Sequence, residues 1–463
     1  MHGLFLTFIL LIFGDSPDSL SYHPTTFVFP TYRHTYGIRK AGPTELFLFL
    51  SFKVKFRDPQ GLACVRLDAW EDPDNPHDDD ELTVYGVNSG QNNIIYNKSM
   101  WGLGVYGLYE KGLQRLNEPH GICANSRGDV YVADSGNNRL VRLFNPAHEL
   151  QFVAAIGGPG AEPGCFKYPL QSALDSHGNV YVSDSGNNRI QVFDKENKFR
   201  YAFAADGRLL NPNGIAVTDL DEKYKQYSGG ENFLVVIDSA DQRINKFDLQ
   251  GKLLRTIRCR DFGYPRARLE YVCLDYYNQV LITDSQNHCI HKLDHDLNYI
   301  ISFGRAGEDD FEFNEPRGIT VYRRFGQLFI AEKSGAQYYW IGTDLQDLTV
   351  ESRQDVTSLS FKVSEPSYVS VDVLDRDGKF VRRILDNKLL FPVTKHHISW
   401  DGRMGKGLPR FFEQMKYTQS TLVGYGLKVP PGSYRLKLKA EPTYSARTYF
   451  SRQEELTFNR SVE

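Results

Sequence analysis

One short block of the chain returns almost unchanged fifty positions later. Val130-Tyr-Val-Ala-Asp-Ser-Gly-Asn-Asn-Arg-Leu140 reappears as Val180-Tyr-Val-Ser-Asp-Ser-Gly-Asn-Asn-Arg-Ile190. Self-similarity at a period of 20–50 residues marks repeat architectures, in which each unit buries its apolar face only against its neighbours. Looser copies occur at Val235–Ile244 and Leu281–Ile290, a degenerate one at Leu328–Gly335, and another at the front, Leu82–Ile94. With the aspartate as marker, the six copies fall at Asn88, Asp134, Asp184, Asp238, Asp284 and Glu332, spaced 46, 50, 54, 46 and 48 residues apart.

Each unit has one internal order. A Pro-x-Gly-Ile turn and strand (Pro119–Ile122, Pro212–Ile215, Pro316–Ile319) leads through a glycine turn to a β-branched strand. The Asp-Ser-Gly-Asn-Asn hairpin, an alternating strand and a last strand ending in Phe-Gly or Ile-Gly follow. Four short strands per repeat describe a propeller blade. The wording resembles the NHL-repeat family over about 290 residues, 56–349. WD40 and kelch signatures do not recur. The fold class expected is therefore all-β: a six-bladed β-propeller at 56–349, with strands in 22–55 packing on or closing the ring. Within 22–55, Leu46–Phe56 reads as a strand.

Composition agrees and excludes some functions. Aromatic residues at 13% and 39 glycines suit strands and tight turns. A net charge of −3 and a pI near 6.5 argue against a nucleic-acid binder. The apolar run Leu4–Phe13 is too short for a membrane span and fits a signal peptide over 1–21, cleaved before Tyr22. That points to a secreted or periplasmic protein of the cell envelope. Six cysteines without a CxxC pair read as structural thiols. The acidic run Asp72–Glu81 is the one candidate for a cofactor, Ca²⁺, but it lacks the glycine and the terminal glutamate spacing of an EF-hand loop. No other cofactor or metal is expected.

The recurring Asp and Arg suit a hairpin better than catalysis, because a residue repeated in every blade serves the blade. Ligands of propellers meet the ring at one mouth of the channel, and the variable residue of Pro-x-Gly addresses that mouth. The candidate ligand-binding residues are Gln60, His120, Asn213, Glu270 and Arg317, with Leu170 as the apolar sixth. Peptidyl-α-hydroxyglycine α-amidating lyases resemble this architecture and hold zinc through channel histidines. Pro119-His120 matches that pattern once, whereas zinc with an open position wants three protein ligands. His288 and His291 fall on opposite faces of an alternating strand. The leading expectation is a non-catalytic binding or scaffold protein that engages protein or carbohydrate at the mouth. The alternative is a propeller lyase or hydrolase, lactonase-like or peptidyl-hydroxyglycine-lyase-like, with a bound metal at the channel.

Beyond residue 350 the repeat stops. His397–Arg403 contains Trp-Asp-Gly, and Val429–Leu436 contains Val-Pro-Pro-Gly-Ser-Tyr. The pair resembles the immunoglobulin-like domain of flagellar hook-capping proteins, a β-sandwich also appended to secreted bacterial proteins. It implies a sandwich at 350–442, interrupted by an insertion at 404–426, then a tail at 443–463. Such a domain implies attachment or spacing.

Overall fold

The computed structural model describes residues 24–30, 39–70, 82–99, 102–205, 207–218, 232–240, 242–353, 355–404 and 427–460. The signal-peptide stretch, the acidic run Asp72–Glu81 and residues 405–426 of the insertion lie outside the described residues.

Six antiparallel sheets follow one another along the chain, each a meander from an innermost to an outermost strand. Blade one spans Pro59–Tyr106 and blade two Pro119–Ile156. Blades three, four and five span Pro169–Phe203, Pro212–Arg258 and Leu269–Phe303. The innermost strands contact one another in sequence, and that of blade six returns to blade one, so the ring is closed. Blade six takes only three strands from its own repeat, Ile319–Tyr322, Gln327–Glu332 and Gly335–Ile341. Its outer edge comes from the N-terminus: Phe27–Val28 pairs with Ile341 and Trp340, and Lys40–Ala41 with Gln337 and Ala336. Phe27 is fully buried against Phe303 and Tyr339, which seals a sheet edge that would otherwise be open.

Glycine decides how tightly the ring closes. A Cβ on Gly318 would run into the Gln60 carbonyl oxygen and lie 2.9 Å from Leu62 N, both backbone atoms of the neighbouring innermost strand. The Pro-x-Gly element is thus a packing requirement of adjacent blades.

Leu46–Phe56 is not a strand. Pro43–Leu50 is an α-helix and Ser51–Lys53 a 3₁₀ turn. Pro43 stands at the first helical position, and the Glu45 carboxylate accepts the Gly42 N–H at 2.8 Å, satisfying an end that strand geometry would leave idle.

The C-terminal module is a β-sandwich. Leu345–Arg353, Val356–Val363 and His396–Trp400 form one sheet. Phe380–Leu390, Ser367–Asp375, Gly432–Pro442 and Arg452–Arg460 form the other. One apolar core including Phe361, Val371, Leu438 and Trp400 lies between them. The first strand begins at Leu345, ahead of the boundary read at 350. The segment read as a tail supplies the edge strand Arg452–Arg460, paired along Gly432–Ala440. Its polar, charge-rich alternation hides it, because only Phe458 and Arg460 turn fully inward. The Trp-Asp-Gly and Val-Pro-Pro-Gly loops face each other. Val429 N–H donates to Gly402 O at 2.8 Å, and Trp400 packs on Tyr434 and Phe458.

Candidate functional site: the propeller mouth

The hairpin marker organises the mouth. In blade two Asp134 accepts the Asn117 N–H on one carboxylate oxygen, at 2.7 Å, and Arg139 Nε on the other, also at 2.7 Å. Blade three repeats the pattern with Lys167 N–H, Asp184 and Arg189. These buried carboxylates tie the segment entering the innermost strand to the hairpin on its far side, which is the structural role expected of them. Asn88 does the same for Arg57 N–H, and Glu332 for Asn314 N–H. Where the arginine is lost the partner changes: Asn88 meets Asn93, Glu332 meets Gln337, and Asp284 meets His291.

The next hairpin residue clips one blade to the following one. Asn92, Asn138 and Asn188 hold left-handed φ angles of 56°, 52° and 55°. Their side-chain oxygens accept the N–H groups of Glu118, Tyr168 and Asn211 at 2.7–2.8 Å. In blade five His288 takes this place at φ 54°, its Nδ1 accepting the Glu315 N–H at 3.2 Å. His288 is thereby a clip between blades.

The residues held by these clips, and Asp58 ahead of blade one, stand directly before the mouth prolines, and sequence reasoning passed over them. Asp58, Glu118, Tyr168, Asn211 and Glu315 all have positive φ, between 46° and 54°. Five non-glycine residues in that region, each before a proline, store backbone strain at one rim, and such strain clusters at functional surfaces. The signal available in the sequence was that this position, too, is polar in every repeat.

The expected mouth residues lie one step along the chain, at the starts of the innermost strands. Gln60 and Asn213 are buried, while His120, Leu170, Glu270 and Arg317 are half-buried. They divide into floor and rim. Tyr271 of blade five stands where four blades have glycine, and its hydroxyl donates to Gln60 Oε1 of blade one at 3.0 Å. That bond spans the ring and closes its floor. Asn213 Nδ2 is spent on the Leu269 carbonyl, at 2.9 Å. Gln60 and Asn213 therefore serve the ring's own wiring.

His120, Glu270 and Arg317 form a polar group above the floor. Arg317 pairs with Asp58 of blade one and lies 3.5 Å from Glu315, and Glu315 also meets Lys333 at 2.7 Å. Burial lowers the Arg317 pKa, but Asp58, Glu270 and Glu315 outweigh it and keep the guanidinium charged. Glu270 accepts Arg268 Nε at 2.6 Å and Ser285 Oγ at 2.8 Å. Burial pulls the His120 pKa below the usual imidazole range, against the opposing Glu118 carbonyl and the carboxylates of Asp58, Glu118 and Glu270. Its Nδ1 lies 3.0 Å from the Glu118 carbonyl, which can only accept, so Nδ1 carries the proton and Nε2 the lone pair. The exposed Tyr168 ring stands 5.6 Å from the imidazole, edge to face.

Comparison with known proteins bears on the repeat and the fold. Residues 116–143 and 166–193, in blades two and three, match the NHL repeat. No curated protein matches the chain. Among solved structures the chain is similar to virginiamycin B lyase from Staphylococcus aureus, at 15% identity over 56% of this chain and 76% of that one, TM-score 0.41. A gluconolactonase from Xanthomonas campestris is similar at 12% identity over 62% and 88%, TM-score 0.43. Regucalcin, a calcium-binding protein from Agrobacterium tumefaciens, is similar at 11% identity over 62% and 91%, TM-score 0.41. At these identities the likeness carries no information about chemistry.

Proposed function

We propose that the protein is a binding platform of the cell envelope, which engages a hydroxyl-rich carbohydrate or a polar protein face at the propeller mouth. The observation that carries this reading is the convergence of Asp58, Glu118, His120, Glu270 and Arg317, from four different blades, beside the exposed Tyr168 ring above a floor that Tyr271 closes. Planar carboxylate and guanidinium groups beside an aromatic face suit a ligand rich in hydroxyl or amide groups. With the floor closed, the ligand rests on the mouth and does not enter the channel.

In this reading the protein works outside the cytoplasm, and the C-terminal sandwich, through its likeness to hook-capping domains, spaces or attaches the propeller. The lyase or hydrolase alternative draws on one observation, the uncharged His120 with Nε2 available as a base. A glycan array and an envelope pull-down with full-length protein test the proposal. Tyr168→Ala and Glu270→Gln are each expected to weaken capture at least tenfold without changing the melting temperature by more than a few degrees. Capture that is unchanged in both variants would refute the mouth as the binding face.

A further inference from the structure

Blade five departs from the pattern of its neighbours in a chemically specific way. Where blades two, three and four pair the marker aspartate with an arginine five residues on, blade five has Cys289. Residues two apart on a strand share a face, so position 291 also looks toward the marker. Blade three has Gln191 there, donating to Asp184 at 3.0 Å, and blade five has His291.

Three different ligand types thus meet around one point, all of them fully buried: the Asp284 carboxylate, the Cys289 thiol and the His291 imidazole, with donor atoms within 4.8 Å of one another. His291 Nε2 lies 3.1 Å from Asp284 Oδ2 and 4.0 Å from Cys289 Sγ. Zinc bonds of about 2.0–2.3 Å, set tetrahedrally, put N and O about 3.3 Å apart and N and S about 3.6 Å apart. The two His291 separations are therefore within a few tenths of an ångström of that geometry, and the Cys289 thiol closes on the Asp284 carboxylate from within 4.8 Å.

The surroundings are those of a metal site. His291 Nδ1 is held by Ser302 Oγ at 2.7 Å, and Ser302 by the Tyr299 hydroxyl at 3.0 Å. This is the outer-shell partner that orients a ligating histidine. Tyr264 and Phe262 pack on the ring at 4.5 and 5.3 Å and keep water away. A second buried thiol, Cys259, arrives from the turn after blade four and lies within electrostatic range of both Asp284 and Cys289. Burial raises both thiols far above their usual range, so without a cation they stay protonated.

We propose that Asp284, Cys289 and His291 hold a structural zinc ion, and that Cys259, which lies outside that close trio, moves in as the fourth ligand. Binding displaces the two thiol protons to solvent, and His291 ligates through the Nε2 lone pair with its other ring nitrogen facing Ser302 Oγ. The ion replaces the arginine clamp of blades two, three and four. Because the ligands are sealed in the fold, the metal enters as the chain folds.

The test is metal analysis of untagged full-length protein expressed with zinc, followed by refolding with cobalt(II). About one zinc per chain is expected, with a thiolate-to-cobalt charge-transfer band in the refolded sample. The double variant C289R/H291Q rebuilds the wiring of blade three. It is expected to fold and to bind neither metal, whereas C259S is expected to keep cobalt only weakly. Three results would each overturn the proposal: metal-free wild type that shows no cobalt band, metal retained in C289R/H291Q, or a Cys259–Cys289 disulfide found by mass spectrometry in the freshly purified protein.

Discussion

Lys292 of blade five and Glu365 of the sandwich form an ion pair across the junction of the two folds, and both side chains are sealed from solvent. Each can escape a lost partner only by becoming neutral, and the two escapes run in opposite directions with pH. In Lys292→Met the carboxyl must take a proton. From an ordinary glutamate value of 4.5, that costs at most about 3.4 kcal/mol at pH 7 and nothing below pH 4.5. In Glu365→Gln the ammonium must lose a proton. From an ordinary value of about 10.4, that costs at most about 4.6 kcal/mol at pH 7 and more as the pH falls. Asp275 limits the second cost, since it is buried within range of Lys292 and its Oδ2 has no hydrogen-bond partner. Urea unfolding at pH 5, 7 and 9 reads the result. Lys292→Met is expected to approach wild type at pH 5, and Glu365→Gln to approach it at pH 9. Burial works against the carboxylate in the wild type too, raising the Glu365 pKa against the pull of Lys292, so the folded state holds that proton to higher pH than the unfolded one. The associated stability is complete below pH 4.5 and declines as pH rises above it. Part of the Lys292→Met cost is thus already present in the wild type, and the cost given for that variant is an upper bound. Parallel pH profiles for the two variants, or losses under about 0.5 kcal/mol as at an exposed pair, would refute this account.

Three further outcomes test the fold. Phe27→Ala removes the ring packed on Phe303 and is expected to cost about 3–5 kcal/mol, read by chemical denaturation. A loss below 1 kcal/mol would mean that the N-terminal strand does not close the ring. Gly318→Ala is expected to abolish soluble expression, since its Cβ meets the backbone of blade one, while Gly158→Ala, with nothing within 4 Å, leaves the melting temperature unchanged. Arg189→Ala leaves the buried Asp184 with only amide partners and is expected to cost about 3 kcal/mol, with mouth binding intact. Equal loss of binding would make the hairpin pair part of the site.

What the sequence showed depended on whether a residue's reason was local. Asp134 and Asp184 were legible because Asp-Ser-Gly-Asn-Asn carries its own turn and repeats nearly letter for letter. Six repeats gave six blades, although the sixth sheet completes its outer edge with Phe27–Val28 and Lys40–Ala41 from the N-terminus. The helix at Pro43–Leu50 was misread because its apolar run mimics a strand, while Gly42, Pro43 and Glu45 decide the matter at one end. The edge strand Arg452–Arg460 reads as a tail because its alternation is polar and charge-rich, with only Phe458 and Arg460 turned fully inward. Within the mouth, position alone named Gln60, His120, Asn213, Glu270 and Arg317. It did not show that Gln60 and Asn213 are spent on the ring, because their partners Tyr271 and Leu269 lie 211 and 56 residues away. In the sequence His291 is weighed only against His288, which the structure places in the turn before the strand, whereas the residues it meets are Cys289, two positions away on the same face, and Asp284.

The two ends of the channel differ in a way that gives the molecule a direction. At the mouth, Tyr271 closes the floor but leaves His120, Glu270 and Arg317 above it. At the far end, the buried part of Arg323 donates to the carbonyls of Leu274 and Val217, capping the last residues of two innermost strands. Just outside it the sandwich is seated. Tyr444 O accepts from Tyr276 N–H through its hydroxyl at 3.0 Å, Tyr277 donates to Thr443, and Ser445 donates to Phe325 O. The turns that link first and second strands in blades five and six are thereby covered, and the Lys292–Glu365 pair lies in the same junction. The sandwich is thus seated over blades five and six on the end opposite the mouth. In the proposed reading, where the sandwich attaches the propeller, its grip on that end through buried charge and aromatic packing fixes the direction in which the mouth points.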